Sequence, residues 1–207
     1  MSRVEGAALI QRLRRKPVIG GLKQGANLNR GIDAGVEVFF ALTGTIFDLE
    51  VTAARVREAG RLILAHIDLL EGVGRDAPGI RFLARNLGIH GILSTRNSLI
   101  RAAREAGLLA VQRLFLLDSE ALSTGLSVAE RSTPDAIEVL PGLVIPQVVH
   151  RLPIRHLPPL IGGGLVETPE EVCSILDAGA VAVSTSREEL WNYVRPAKGS
   201  SPADRIM

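Results

Sequence analysis

Short, almost uninterrupted apolar runs alternate along this chain with longer segments that carry helix punctuation. The runs begin near Pro17 (PVIGGL), Val36 (VEVFFAL), Arg61 (RLILAHID), His90 (HGILST), Leu109 (LAVQRLF), Ala136 (AIEVLP), Pro158 (PPLIGGG) and Ala180 (AVAVSTS). Strands buried on both faces lose polar alternation and read in this way. Successive starts lie roughly 20 to 30 residues apart, room for a strand, a turn, a helix and a return. Eight such units in series predict an α/β fold, a small single-domain (β/α)8 TIM-like barrel over residues 1–194. Residues 1–16 are expected as a helix across its N-terminal face. The competing architecture is an open doubly wound sheet, but no G-x-G-x-x-G follows the first run to support it.

The punctuation agrees with this division. Thr168-Pro169-Glu170-Glu171 reads as a capping box with proline at the first helical position, and Ser186-Arg187-Glu188-Glu189 as a second box opening the last helix. Gly60, Gly88, Gly107 and Gly179 each precede a strand, where a helix end favours a residue tolerant of positive φ. Pro146 and Pro153 predict an irregular crossover before PPLIGGG. The segment 195–207 (RPAKGSSPADRIM) is rich in Pro, Gly and Ser and is expected to be mobile.

Composition narrows the classes. With 46% hydrophobic and 22% charged residues the 207-residue chain is an ordinary globular sequence, and 3% aromatics leave its core to Leu, Ile, Val and Ala. The formal charge is +2, from 24 basic and 22 acidic residues. The pI near 9.1 overstates that excess, because few groups titrate between neutrality and pH 9. Such a balance neither demands nor forbids a nucleic-acid partner. The single cysteine, Cys173, excludes an intramolecular disulfide and reads as a structural helix residue. No signal peptide and no apolar run of membrane-spanning length stand out, so a cytoplasmic protein with no membrane partner is expected. Arg12, Arg14, Arg15 and Lys16 form a short basic stretch that reads as a solvated face, and so do the pairs Arg101 with Arg104 and Arg151 with Arg155. Trp191 reads as packing. There is no CxxC pair, P-loop, nucleophile elbow or RNP-type aromatic motif, and no cofactor or metal is predicted.

In such a barrel the functional atoms sit at the strand C-termini. After the seventh run comes Gly162-Gly163-Gly164, and the eighth ends in Ser184-Thr185-Ser186. Glycines admit an anion close to the backbone, and the Ser-Thr-Ser segment offers hydroxyls and N–H groups, which together predict a phosphate site. The plainer alternative is tight strand–helix packing by the glycines and simple capping by Ser186. Glu188 and Glu189 place negative charge nearby and count against the anion. His66, Asp68 and Glu71 form a second group at the end of the third run, where they could bind polyol hydroxyls, act as acid and base, or hold a metal. A satisfied core histidine is the plainer reading of His66. Lys23, Ser94, Arg96, Arg113 and Glu138 are further polar residues at or near strand ends. Glu138 lies within an apolar run, where a carboxylate needs a partner; Arg96, Arg113 or Lys23 would serve. Gln112 precedes Arg113 in the same group.

The strings KPVIGGLK, VFFALTGTIFDL, HIDLLEGVGRD, GILSTRNSLI, QRLFLLDSEAL, PDAIEVLPG, GGGLVET and AVSTSREELW occur in this order. From about Leu9 to Tyr193 the chain resembles the glycerol-3-phosphate-responsive antiterminator family, regulators of bacterial glycerol operons. Two departures stand out: GGLKQ where the family commonly has a pattern like AAVKD, so that Gln24 replaces a carboxylate, and IGGGLV where IAGGLI is expected. The resemblance implies a TIM-like barrel, binding of glycerol 3-phosphate and action on leader mRNA so that RNA polymerase passes a terminator. The phosphate would then sit on Gly163, Gly164, Ser184 and Thr185, with the hydroxyls toward His66, Asp68, Glu71 or Glu138. The transcription complex is a further candidate partner, and a homo-oligomer is compatible with this reading. The rival is a barrel enzyme acting on a phosphorylated triose or sugar, with Asp68, Glu71 and Glu138 as acid–base groups or magnesium ligands. A third reading is a ligand-binding regulator that works through a protein partner.

Overall fold

In the computed structural model, which describes residues 3–23, 26–151 and 156–195, the eight apolar runs become the eight strands of a closed parallel barrel. They are β1 (Val18–Leu22), β2 (Val38–Ala41), β3 (Leu62–His66), β4 (Gly91–Ser94), β5 (Leu109–Phe115), β6 (Ala136–Leu140), β7 (Leu160–Gly163) and β8 (Ala182–Thr185). Each pairs with its neighbours in sequence, and β8 closes on β1. Closure excludes the open doubly wound sheet.

Helices α1 (Arg3–Arg15), α2 (Leu28–Asp33), α3 (Ile46–Glu58), α4 (Ala77–Phe82), α5 (Asn97–Glu105), α6 (Ser119–Ser132), α7 (Ile145–Val148) and α8 (Pro169–Asp177) complete the units. The Thr168 box forms as expected, with Glu171 closing it. All four inter-element glycines take positive φ. The Ser186 box does not form. Thr185 Oγ1 accepts the Arg187 amide at 3.1 Å, Arg187 stands at the helix start without a side-chain cap, and Glu188–Asn192 is a 3-10 turn. The crossover after β6 is irregular, as Pro146 suggests: two 3-10 turns flank the single turn of α7. Gln24, Pro153, Arg155 and the tail from residue 196 lie outside the described residues.

Side chains alternate across each strand, so residues two apart share a face. One face packs outward against the helices through Val18, Phe39, Ile63, Ile92, Ile137 and Val183. The other fills the barrel: Ile19, Phe40, Leu64, Val111, Ala136, Ile161 and Ala182 form one buried cluster. Two residues further toward the C-terminal end, the same inward rows read Gly21, Leu42, His66, Arg113, Glu138, Gly163 and Ser184. The interior therefore changes from aliphatic to polar and small within one step, and that step floors the barrel mouth.

The opposite end is closed by α1. Leu9 and Leu13 are buried in the inner cluster with Phe40 and Leu64. Arg12, expected on a solvated face, instead donates to Glu37 Oε2 at 2.8 Å and to the Gly60 carbonyl at 2.9 Å. Truncation of a buried leucine such as Leu13 costs about 2–5 kcal/mol in comparable cores, so this helix is part of the barrel.

Candidate functional site at the barrel mouth

A pocket of about 590 Å³ opens at the C-terminal strand ends, lined by residues that include Lys23, Arg113, Glu138, Gly164, Ser184 and Thr185. Its centre follows from strand register. Arg113 on β5 pairs with Glu138 on β6, and Gly163 on β7 with Ser184 on β8. Arg113 Nε donates to Glu138 Oε2 at 2.5 Å, and Ser184 Oγ donates to Glu138 Oε1 at 2.6 Å. The buried carboxylate is thus satisfied on both oxygens, as burial requires. Of its three expected partners, Arg113 is the one in contact.

Arg113 also reaches His66, its Nη1 lying 3.0 Å from Nε2, and its guanidinium stands over the Phe115 ring. Burial, with the Arg113 cation second, lowers the His66 pKa from 6.5 to about 4, although Asp68 and the Leu42 backbone oppose the shift. The imidazole is neutral at physiological pH and accepts a hydrogen bond from Arg113 Nη1. Among the described residues, no hydrogen bond engages Arg113 Nη2.

Asp68 serves a different neighbourhood. It accepts from Ser94 Oγ at 3.0 Å and the Thr95 amide at 2.9 Å, with Arg96 Nε 3.5 Å away. Gln112 is buried and donates to the Ser94 and Thr95 carbonyls. Asp68, Ser94, Arg96 and Gln112 therefore fix the end of β4, and touch the pocket network through His66, 3.8 Å from Asp68. Glu71 stands apart and exposed, in a two-residue ladder with Gly44–Thr45. Among the described residues no group of three or more His, Cys, Asp and Glu side chains converges as a metal site would require.

The far wall is the pair of loops after β7 and β8. Gly164 and Leu165 both have positive φ, 71° and 60°. Thr185 Oγ1 donates to the Val166 carbonyl at 3.1 Å and the Trp191 indole donates to the Thr185 carbonyl at 3.0 Å, so the two loops are tied together. Gly163 is buried at the end of β7, its Cα facing the Glu138–Ser184 contact, and it is not among the residues that line the pocket. Glu188 accepts the Asn27 amide and faces Arg30, turned toward α2, so its charge points away from the pocket, whereas Glu189 stays close enough to act electrostatically on Arg187.

Reading the sequence did not single out Phe40, Leu42, Leu165, Glu167 or Arg187, which also line the pocket. Phe40 and Leu42 follow Val38 at the inward period, so alternation could have found them. Arg187 directly follows the Ser-Thr-Ser segment, and its guanidinium is held by Glu167 at 2.6 Å. Nothing in the sequence marks Leu165 as a left-handed residue.

Residues 18–191 match the family described as glycerol-3-phosphate responsive antiterminator. The uncharacterized protein YgcP of Escherichia coli strain K12 is 34% identical over 187 residues, 90% of this chain and 97% of that protein. A crystal structure of a glycerol uptake operon antiterminator regulatory protein from Listeria monocytogenes superposes with a TM-score of 0.76 at 32% identity, covering 85% of this chain and 95% of that one. A crystal structure of a glycerol uptake operon antiterminator-related protein from Thermotoga maritima gives 0.75 at 31%, covering 86% and 99%.

Proposed function

This chain belongs to the glycerol-3-phosphate responsive antiterminator family, and from that premise we propose that the mouth pocket binds glycerol 3-phosphate and that ligand gates its engagement of leader RNA from glycerol operons. The observation that carries the reading is the make-up of one pocket: Lys23, Arg113 and Arg187 for charge, Ser184 and Thr185 for hydroxyls, and the Glu138 carboxylate within a few ångströms. The phosphate seats against Gly164, Leu165 and Ser186, drawn by Lys23 and by Arg187, for which it competes with Glu167. The glycerol hydroxyls turn inward, donating to Glu138 and accepting from Arg113. Phe40 and Leu42 floor the pocket on its carbon side.

Several features favour binding over turnover. Glu138 already accepts from Arg113 and Ser184, Asp68 already accepts from Ser94 and Thr95, and Glu71 stands on a separate ladder. Glu138 and Asp68 keep lone pairs that can accept from a ligand hydroxyl, but both are engaged in holding their neighbours in place. Among the described residues no second carboxylate stands beside Glu138 to complete an acid–base pair.

Calorimetric titration tests the reading. Glycerol 3-phosphate should bind, and be recovered unchanged, while glycerol and inorganic phosphate bind far more weakly. Arg187→Gln and Lys23→Gln should each weaken binding about tenfold or more, the scale of one charge-assisted hydrogen bond. Unaltered affinity in both variants would remove the phosphate from this position. Turnover abolished by Glu138→Gln would replace the regulator with an enzyme.

A further inference from the structure

We propose that the opposite, N-terminal face of the barrel, centred on Arg14 and Arg15 of α1, docks the phosphate backbone of RNA. This rests on the RNA reading above and assigns the surface that performs it. Parallel winding separates charge between the two ends. The mouth carries Glu71, Asp76, Asp118, Glu120, Glu167 and Glu170, most of them in loops or first helical turns. The other end receives the last turns of the helices, with Arg57, Arg104 and Arg131 beside Glu58 and Glu105, and Arg85 from the π-helical segment Leu83–Leu87 that continues α4. Around the first end the cations Lys23, Arg113 and Arg187 are gathered in the pocket and acidic side chains stand on the rim, whereas the second end offers a polyanion arginines on an open helix face.

Basic last turns also complement helix dipoles and are no site by themselves. What makes this end a surface is α1. Glu37 is the shared partner of three guanidiniums: Arg12 at 2.8 Å, Arg61 at 2.7 Å and Arg15 at 3.4 Å. One carboxylate cannot neutralise three cations, and the most exposed of them, Arg15, is 63% accessible. Arg14 beside it has no ion-pair partner among the described residues. An open groove of about 860 Å³ runs along α1, with Arg14 contributed by the helix and His156 and the ion pair of Arg104 with Asp135, 3.6 Å apart, by its other lining, so Arg14 supplies its uncompensated charge. No Phe, Tyr or Trp lines that groove among the described residues, so contact there falls chiefly on phosphates.

The same helix is joined to the ligand site. Phe40 lines the mouth pocket and belongs to the buried cluster that holds Leu9 and Leu13 of α1. A ligand that shifts Phe40 presses on a packed column whose far end carries Arg14 and Arg15. Close-packed interiors transmit such displacements.

The test uses a glycerol-operon leader transcript and oligouridylate, each titrated at several salt concentrations with glycerol 3-phosphate present. Arg14→Gln/Arg15→Gln should lower the magnitude of the log–log salt slope by about 1.4, at about 0.7 per single-strand contact. It should weaken both RNAs alike and leave the affinity for glycerol 3-phosphate unchanged. Arg14→Gln alone, which breaks no ion pair, should give half that change and guards against misfolding of the double variant. Arg75→Gln, at the mouth end, should change neither. A wild-type slope in the double variant, or a loss confined to Arg75→Gln, overturns the location and leaves the RNA reading standing. Wild-type protein that binds neither RNA at any salt overturns both. Binding to purified RNA polymerase that the double variant loses, with RNA binding intact, reassigns the face to a protein and also overturns the proposal.

Discussion

An alanine methyl at position 163 would lie 2.6 Å from both Glu138 Oε1 and Ser184 Oγ, between two atoms that are themselves hydrogen-bonded. Glycine there leaves room for the Glu138–Ser184 contact. Gly163→Ala should part that pair and cost about 1–3 kcal/mol, the usual penalty for a buried polar group left without its partner. Glycerol 3-phosphate affinity should fall with it, because Ser184 and Glu138 both line the pocket. Chemical denaturation together with calorimetry checks both effects, and an alanine variant of wild-type stability and affinity would contradict this role. His66 makes a second prediction. The unfolded imidazole takes up its proton near pH 6.5, the folded one only near pH 4. The folded state therefore binds fewer protons in that interval. Stability from neutral His66 is complete above pH 6.5 and is lost as pH falls toward 4. His66→Gln should shrink the fall of the urea midpoint across that window. His90 is also lowered by burial and keeps part of the slope. An undiminished fall in the variant would mean that His66 does not contribute.

At the scale of elements, what could be read in the sequence depended on how completely an element is buried. All eight strands were legible, because strands covered on both faces become continuous apolar runs. The Thr168 box was legible because its partners lie within one turn. The Ser186 box has the same letters and fails, because Thr185 takes the Arg187 amide and Trp191 takes the Thr185 carbonyl. Those competing bonds come from tertiary packing, which no local pattern carries. His66, Asp68 and Glu71 sit within six residues, yet serve three surroundings: the Arg113 contact, the end of β4 and the Gly44–Thr45 ladder. Proximity in sequence suggested one cluster, but β3 ends at His66, so alternation no longer orders the residues after it.

For the whole molecule, the barrel turns a nearly neutral chain into one with two unlike ends. A formal charge of +2 says nothing of this, since it sums the acidic rim and basic pocket of the mouth with the arginines and carboxylates of the far side. The end to which each charge goes is set by closure of the sheet and by the direction of the helices. Family resemblance, carried by strings such as HIDLLEG and AVSTS, anticipated the fold and the family. The composition of the pocket needed register: Arg113 against Glu138 and Gly163 against Ser184. A ligand at one end can govern RNA at the other only if it binds the two states of the protein unequally, and such coupling is reciprocal. The most direct measurement is a pair of titrations, glycerol 3-phosphate into protein with and without saturating leader RNA, and RNA into protein with and without saturating ligand. The account predicts that each tightens the other by one common factor, of about 5 to 150, the usual span of such coupling. Equal glycerol 3-phosphate affinity in the presence and absence of bound RNA would contradict it.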